Sequence, residues 1–364
     1  MQFVWKLRHN VVLAPMCVMT AQQLVLHVYV SRRRSGDNAH ALSVEPIHRH
    51  SHAGNDTQRD VRACDGNLGR KHGQLLHDRL TVILATSPRP AGRCILHIRS
   101  TLRSLYHWLP ELYAVTLRIA FDGCPEGHPQ FWEAAWCTDY AWQKTAIQEL
   151  VKTEFANATI VFDMVTPDTN RAGLGGNLRN AFQHVVTPYS YVIQDDFVHC
   201  SHFDVGEVLD TLELNLAIAY IRLNVLQNGE HGLWDYMSDE VVIGNGVQCV
   251  RQGLTRGCNW GDNNHFVPTT VYRDFLYSMP DPAKAPESMF DHTRAACADQ
   301  MKWYVYGALR HAPMLCHIDG MYRSWNGGHN NNLKRACPNE REYDTYLAKQ
   351  CPMSGLTGSE QRAV

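Results

Sequence analysis

Two adjacent carboxylates, Asp195 and Asp196, close the segment YVIQDDFVH (191–199). The residues before them are apolar, aromatic or β-branched and read as a buried strand that runs out into the acids. Side chains alternate along a strand, so the two carboxylates diverge unless a bend redirects them. One is then free to hold a divalent cation while the other binds a donor molecule or backbone. Mg²⁺ and Mn²⁺ favour carboxylate and phosphate oxygens, and either ion neutralises charge on a pyrophosphate leaving group. A second cluster lies just upstream. NRAGLGGNLRNAF (170–182) combines Gly173, Gly175 and Gly176 with Asn170, Asn177, Arg179 and Asn180. Glycines let backbone approach a ligand, amides at a helix start favour anions, and Arg179 adds positive charge. The segment is not a Walker loop, because GKS or GKT is missing. Nor is it the dinucleotide fingerprint, which belongs after the first strand, where this chain has ATSPRP.

The elements that must position these groups begin at Leu80. LTVILA (80–85) is a continuous apolar run, as a central parallel strand buried on both faces requires. Ile95, Ile98, Leu102, Leu105 and Leu109 recur at helical spacing over 94–109, and Pro110 stops that helix. VTLRIAF (115–121) is a second strand, ended by Asp122-Gly123. The pattern repeats with a helix over 140–155, a strand within 157–165, a helix over 176–186 behind the glycine-rich loop, and a strand YSYVIQ (189–194). Strands alternating with helices argue for an open, mostly parallel α/β sheet flanked by helices. Ligands of such sheets sit beyond the carboxyl ends of the strands. That places Thr86, Ser87, Asp122, Asn170, Asp195 and Asp196 where chemistry is expected. The second half is less regular: a helix over 204–214, strands near 218–224 and 266, a helix from about 287 to 303, and a loop-rich stretch over 229–265.

Composition sets the outer limits. The chain has 364 residues, of which 45% are hydrophobic, enough for a sizeable core. Its 34 Lys+Arg against 36 Asp+Glu leave a net charge of -2, so no electrostatic footprint for nucleic acid exists. None of the twelve cysteines forms a CxxC pair, which argues against a structural zinc finger or a thioredoxin-like site. Most read as buried small hydrophobes, with disulfides open to a secreted protein. Residues 1–79 form a poorly ordered extension with His-, Arg-, Gly- and Asn-rich composition after residue 30. Within it, residues 11–30 have the length of a membrane span but are interrupted by Gln22, Gln23 and His27, and read as a weak anchor. One catalytic domain is expected over 80–335, with a donor-binding half (80–200) and an acceptor-binding half (201–335). A polar, peripheral tail is expected over 336–364.

Together these segments resemble the GT-A, family-2-like glycosyltransferases: TVILATSPRP (81–90), IAFDG (119–123), the Asn-, Gly- and Arg-containing loop of 170–180, and TPYSYVIQDD (187–196). The resemblance spans 80–330. It implies a Rossmann-like nucleotide-diphospho-sugar transferase fold and transfer of a sugar, from UDP in the first instance, to an acceptor hydroxyl on a glycan, protein or small molecule. Thr86, Ser87 and Asp122 would surround the nucleotide, with Asn170, Gly173, Asn177, Arg179 and Asp195 completing the donor site. The family's Asp-x-Asp motif has lost its first carboxylate here, leaving Gln194-Asp195-Asp196, and Asp196 takes its last acidic position as the ligand of Mn²⁺ or Mg²⁺. His317 is implied as a second metal or diphosphate ligand, with His265 and His329 as alternatives. Transfer with inversion needs a carboxylate base. Asp291, in SMFDH (288–292), is the first choice and Asp262 the second, with Glu287 and Asp299 behind them. Trp234, Tyr236, Trp260 and Trp325 are candidates to stack on sugar. The alternatives are a nucleotidyltransferase and a non-catalytic relic that binds carbohydrate or a partner. Cytoplasmic, membrane-associated and Golgi-lumenal placements all follow from different readings of residues 11–30.

Overall fold

The computed structural model describes residues 75–88, 93–123, 134–164, 173–225, 253–257, 261, 263–281, 284–286, 302–307, 311–318 and 340–351. The apolar segment 11–30, Asn170, Trp234, Tyr236, Trp260, Asp262, Glu287, Asp291, Asp299, Trp325 and His329 lie outside them. Among the described residues no helix is long and apolar enough to cross a membrane.

In chain order the elements are α1 (Leu76–Arg79), β1 (Leu80–Thr86), α2 (Leu96–Trp108), a 3₁₀ turn (Pro110–Ala114), β2 (Thr116–Phe121), α3 (Ala134–Glu154) and β3 (Ile160–Met164). Then come α4 (Gly173–Phe182), β4 (Tyr189–Gln194), β5 (Phe197–His199), α5 (Val205–Leu214), β6 (Ile218–Arg222) and β7 (Leu254–Gly257). The last are β8 (His265–Pro268), α6 (Thr269–Ser278), β9 (Lys302–Tyr306), β10 (Leu315–His317) and α7 (Glu340–Gln350). Eight strands form one sheet in the order β3-β2-β1-β4-β8-β6-β9-β7, and β5 pairs with β10 in a separate ribbon. β3, β2, β1 and β4 are mutually parallel. β8 is antiparallel to both β4 and β6, β9 is parallel to β6, and β7 is antiparallel to β9. Only β7 and β8 therefore run against the rest, and the expected mostly parallel α/β sheet flanked by helices is the one observed.

β1 is buried along its whole length because it lies between two parallel neighbours and under helices on both faces. Its period-two alternation divides the core. Val82 and Leu84 join Ile98, Leu102 and Leu105 of α2. Ile83 and Ala85 join Leu178, Ala181 and Phe182 of α4 with Tyr272 and Leu276 of α6. Each Val, Leu, Ile or Phe among them taken fully out of water contributes about 1.5–3 kcal/mol, so the three helices fix where the carboxyl end of β1 lies.

Three expectations need correction. The glycine-rich segment is not a loop ahead of a helix: the helix begins at Gly173, whose φ of 51° suits a residue without a Cβ. The helix expected to reach residue 303 does not, because Lys302–Tyr306 is strand β9, laid between β6 and β7. Its WYVY core is aromatic and β-branched, which fits a pleated surface better than a helix. The polar end beyond 335 is not merely peripheral. α7 buries Tyr343 and Leu347 against Val198 and Ile318, and Cys351 beside it is bonded to Cys316 in a disulfide. Cys94 is also disulfide-bonded, while Cys200 is free and buried. Cys94, Cys316 and Cys351 are thus covalently paired, and Cys94 and Cys351 are buried as well.

Candidate active site

The carboxyl ends of β1, β2 and β4 are tied together by Thr86 and its neighbours. The Thr86 carbonyl accepts from the Asp122 amide (3.1 Å), the Tyr140 hydroxyl (2.9 Å) and Asn177 Nδ2 (3.2 Å). Asn177 also donates to the Ala120 carbonyl at 2.8 Å, and the Asp195 amide donates to the Ala85 carbonyl at 3.2 Å. Three strand ends and the start of α4 therefore meet at one edge, with Ser87 half-buried beside them. Asp122 is 2% exposed there. Desolvation pushes its carboxyl up to about 7, against the opposing pull of the Gly123 amide, the Lys144 charge and the Gly173 amide. Among the described residues neither Asp122 Oδ1 nor Asn177 Oδ1 has a hydrogen-bond partner, so two buried acceptors await donors at this edge. Lys144 donates to the Asp122 carbonyl at 3.0 Å and lies over the Tyr140 ring, with its own pKa lowered by desolvation.

The two acids diverge as strand alternation requires. Asp195 turns inward, its carboxylate 3.3 Å from Nε2 of His97, with both side chains buried. Its carbonyl accepts from the Thr101 hydroxyl at 2.9 Å. Ser104, one turn further along α2, donates to the Thr101 carbonyl at 2.9 Å and accepts from the His199 amide at 3.0 Å. Asp196 turns the other way, to Nε2 of His317 at 3.2 Å. The His317 ring stacks on Phe197 with centroids 4.6 Å apart, and the Ile318 amide donates to the Asp196 carbonyl at 2.9 Å. The His317 side chain is 43% exposed, against 7% for Asp196. A solute arriving at this pair meets the imidazole first and the carboxylate behind it.

This donor set suits a divalent cation. A carboxylate oxygen and an imidazole nitrogen converge from different elements at the edge where ligands of α/β sheets bind. Mn²⁺ accepts both donor types, whereas Mg²⁺ prefers oxygen alone. Among the described residues no group of three or more His, Cys, Asp or Glu side chains converges. The described residues would thus supply two ligands here.

Not every expected residue is brought to this edge. Arg179 directs its guanidinium to the Leu276 carbonyl (2.7 and 3.2 Å) and the Met279 carbonyl (3.0 Å), tying α4 to α6 instead of offering charge to an anion. Asp195, expected to bind donor, faces α2. His265 is buried, its Nδ1 2.6 Å from the Asn263 carbonyl, and burial lowers its pKa to about 4, so it stays within the core. Gly173 and Asn177 do reach the site, through backbone and side chain respectively. Sequence reasoning missed His97, Thr101 and Tyr140. The first two had a signal: His97, Thr101 and Ser104 share one face of α2 at i, i+4 and i+7, a polar stripe inside an apolar helix.

No family model matches the chain, and no curated protein matches it. Solved structures do. The TarS structure from S. aureus aligns with a TM-score of 0.40 and 11% identity, covering 78% of this chain and 44% of that one. GalNAc-T7 with UDP, GalNAc and Mn²⁺ aligns with a TM-score of 0.43 and 9% identity, covering 68% and 45%. UDP-glucose pyrophosphorylase complexed with UDP-glucose aligns with a TM-score of 0.36 and 8% identity, covering 64% and 92%. The chain spans less than half of the TarS and GalNAc-T7 chains that it matches.

Proposed function

We propose that the protein is a GT-A-type glycosyltransferase that moves a sugar from a nucleotide sugar, UDP-linked in the first instance, to an acceptor hydroxyl. The observation that carries this reading is the convergence of Asp196 and His317 at the sheet edge that also holds Thr86 and Asp122. The motif resemblance over 80–330 supports it independently. Asp122 Oδ1 and Asn177 Oδ1 are buried acceptors of the kind that a nucleoside N–H or O–H satisfies. Asp196 and His317 would hold Mn²⁺. Such an ion, when bound, offsets charge on a departing nucleoside diphosphate. Asp195 is a support in this scheme, not a ligand, and Arg179 fastens the helix that carries Asn177.

In the reaction the acceptor oxygen forms a bond to the anomeric carbon as the bond to the diphosphate oxygen breaks. The hydroxyl proton passes to a carboxylate, for which Asp291 is the proposed base and Asp262 the next choice. The test is release of nucleoside diphosphate from a panel of nucleotide sugars in Mn²⁺, Mg²⁺ or EDTA. One donor is expected to turn over, with Mn²⁺ above Mg²⁺ and none in EDTA. Equal turnover in EDTA would overturn the metal role, and neither binding nor turnover of any donor would overturn the transferase reading.

A further inference from the structure

The ligand pair Asp196–His317 is held by an unusual element. β10 is three residues long and, among the described residues, its strand partner is the three-residue β5. A two-stranded ribbon of this size is not stable by itself in water. Successive side chains on a strand point to opposite faces, so Cys316 lies behind β10 when His317 lies in front. The face behind is where the structure invests its contacts. Cys316 is bonded to Cys351 at the end of α7, with their Cα atoms 5.7 Å apart. Val198, Ile318, Tyr343, Leu347 and Cys351 close into a small apolar cluster beside Leu96 of α2. At its other end α7 is fastened by an ion pair between Glu340 and Arg99, and Arg99 in turn reaches Glu154 of α3. A helix distant in sequence is thereby braced between the scaffold helices and the back of the strand that carries His317.

We infer that the Cys316–Cys351 bridge and α7 are positioning elements that hold the His317 imidazole against Asp196, so that the site is complete only in the oxidised chain. The positional part stands on the geometry alone; the consequence for metal binding rests on the function proposed above. Disulfides persist in oxidising compartments. The same bridge therefore favours maturation in a lumen or outside the cell over the reducing cytosol.

The test compares the oxidised full chain with Cys316→Ala/Cys351→Ala and with His317→Ala. Two readouts are used. The first is acylation of His317 by diethylpyrocarbonate, followed by peptide mass spectrometry. The second is Mn²⁺ binding in the presence of UDP, followed by electron paramagnetic resonance. The double cysteine variant should keep the parent's circular dichroism, acylate His317 several-fold faster and bind Mn²⁺ about 10-fold more weakly, the usual cost of losing a ligand's support. Adding His317→Ala to it should cost no further Mn²⁺ affinity. An unchanged acylation rate overturns the inference, as do losses that multiply. Faster acylation, with Mn²⁺ binding absent even from the parent, leaves the brace standing and overturns the metal reading instead. Should the double variant fail to fold, the oxidised protein is titrated with a phosphine reductant and opening of the bridge is counted by alkylation of Cys316 and Cys351. His317 acylation must then rise with that count, and a flat rate overturns the inference.

Discussion

The acidic turn after β4 has two sides, and they are built by opposite means. On the α2 side Asp195 meets His97 and Thr101, all buried, within a helix packed onto the parallel half of the sheet. On the β10 side Asp196 meets a half-exposed histidine from a three-residue strand, held by a disulfide to a helix near the carboxyl terminus. The first arrangement is dry and leans on a helix of the main core. The second is assembled from remote segments and opens to solvent. The difference teaches how two adjacent acids can take separate tasks, one supporting the turn and the other, in the proposed function, facing a cation. Asp195 is anchored against α2, and Asp196, itself buried, faces a histidine that reaches the surface.

The sharpest way to break this comparison is to remove each acid in turn. Asp196→Ala should lower donor turnover by about 10³-fold, the loss expected when a charge-stabilising ligand goes, while leaving the unfolding midpoint in urea close to the parent's. Asp195→Ala should do the reverse in its main effect. It removes a buried carboxylate packed beside His97, a change expected to cost about 1–3 kcal/mol, read as a drop in urea midpoint at unchanged slope. Should Asp195→Ala abolish turnover in a protein of parental stability, the roles assigned to the two sides are exchanged.

Much of this was legible in the sequence, and the part that was not has physical reasons. β1 and β4 are buried along nearly their whole length and β2 over its last three residues, so their ends, and with them Thr86, Asp122, Asp195 and Asp196, followed from local pattern. The divergence of the acids followed from strand alternation. Which acid faces which way did not, because that depends on His97, a residue about 100 positions away. The direction of Arg179 was hidden for the same reason: its partners are carbonyls at the end of α6, invisible to any window around the glycines. α7 was missed because its buried positions are few, Tyr343, Leu347 and the neighbouring Cys351, and its main tie is covalent.

Asp122 sharpens the comparison from the nucleotide side of the edge. Its carboxyl sits near 7 in the folded chain against an ordinary 3.8. Between about pH 4 and pH 7 the folded chain holds a proton that the unfolded chain has released, so stability falls as pH rises through that window and levels off above it. Asp122→Asn removes the charge and should flatten that slope, leaving the variant about 2 kcal/mol more stable than the parent at pH 8. Urea midpoints at pH 5 and pH 8 decide it, and a slope that survives in the Asn variant assigns the titration to another group.

The smallest effect probes the scaffold side without touching a charge. Thr101 is fully buried and its hydroxyl holds the Asp195 carbonyl, one of the backbone ties that set the direction of the turn. Thr101→Val keeps the shape and removes that hydrogen bond, at a cost of about 1 kcal/mol. If the α2 side is a rigid support, the remaining contacts hold the turn, donor affinity stays parental and only the urea midpoint moves. If donor affinity falls more than stability does, the turn is poised and not fixed. Asp196 would then owe its position to His317 and the brace behind it more than to its buried neighbour, and the contrast between the two sides would narrow to a division of one task.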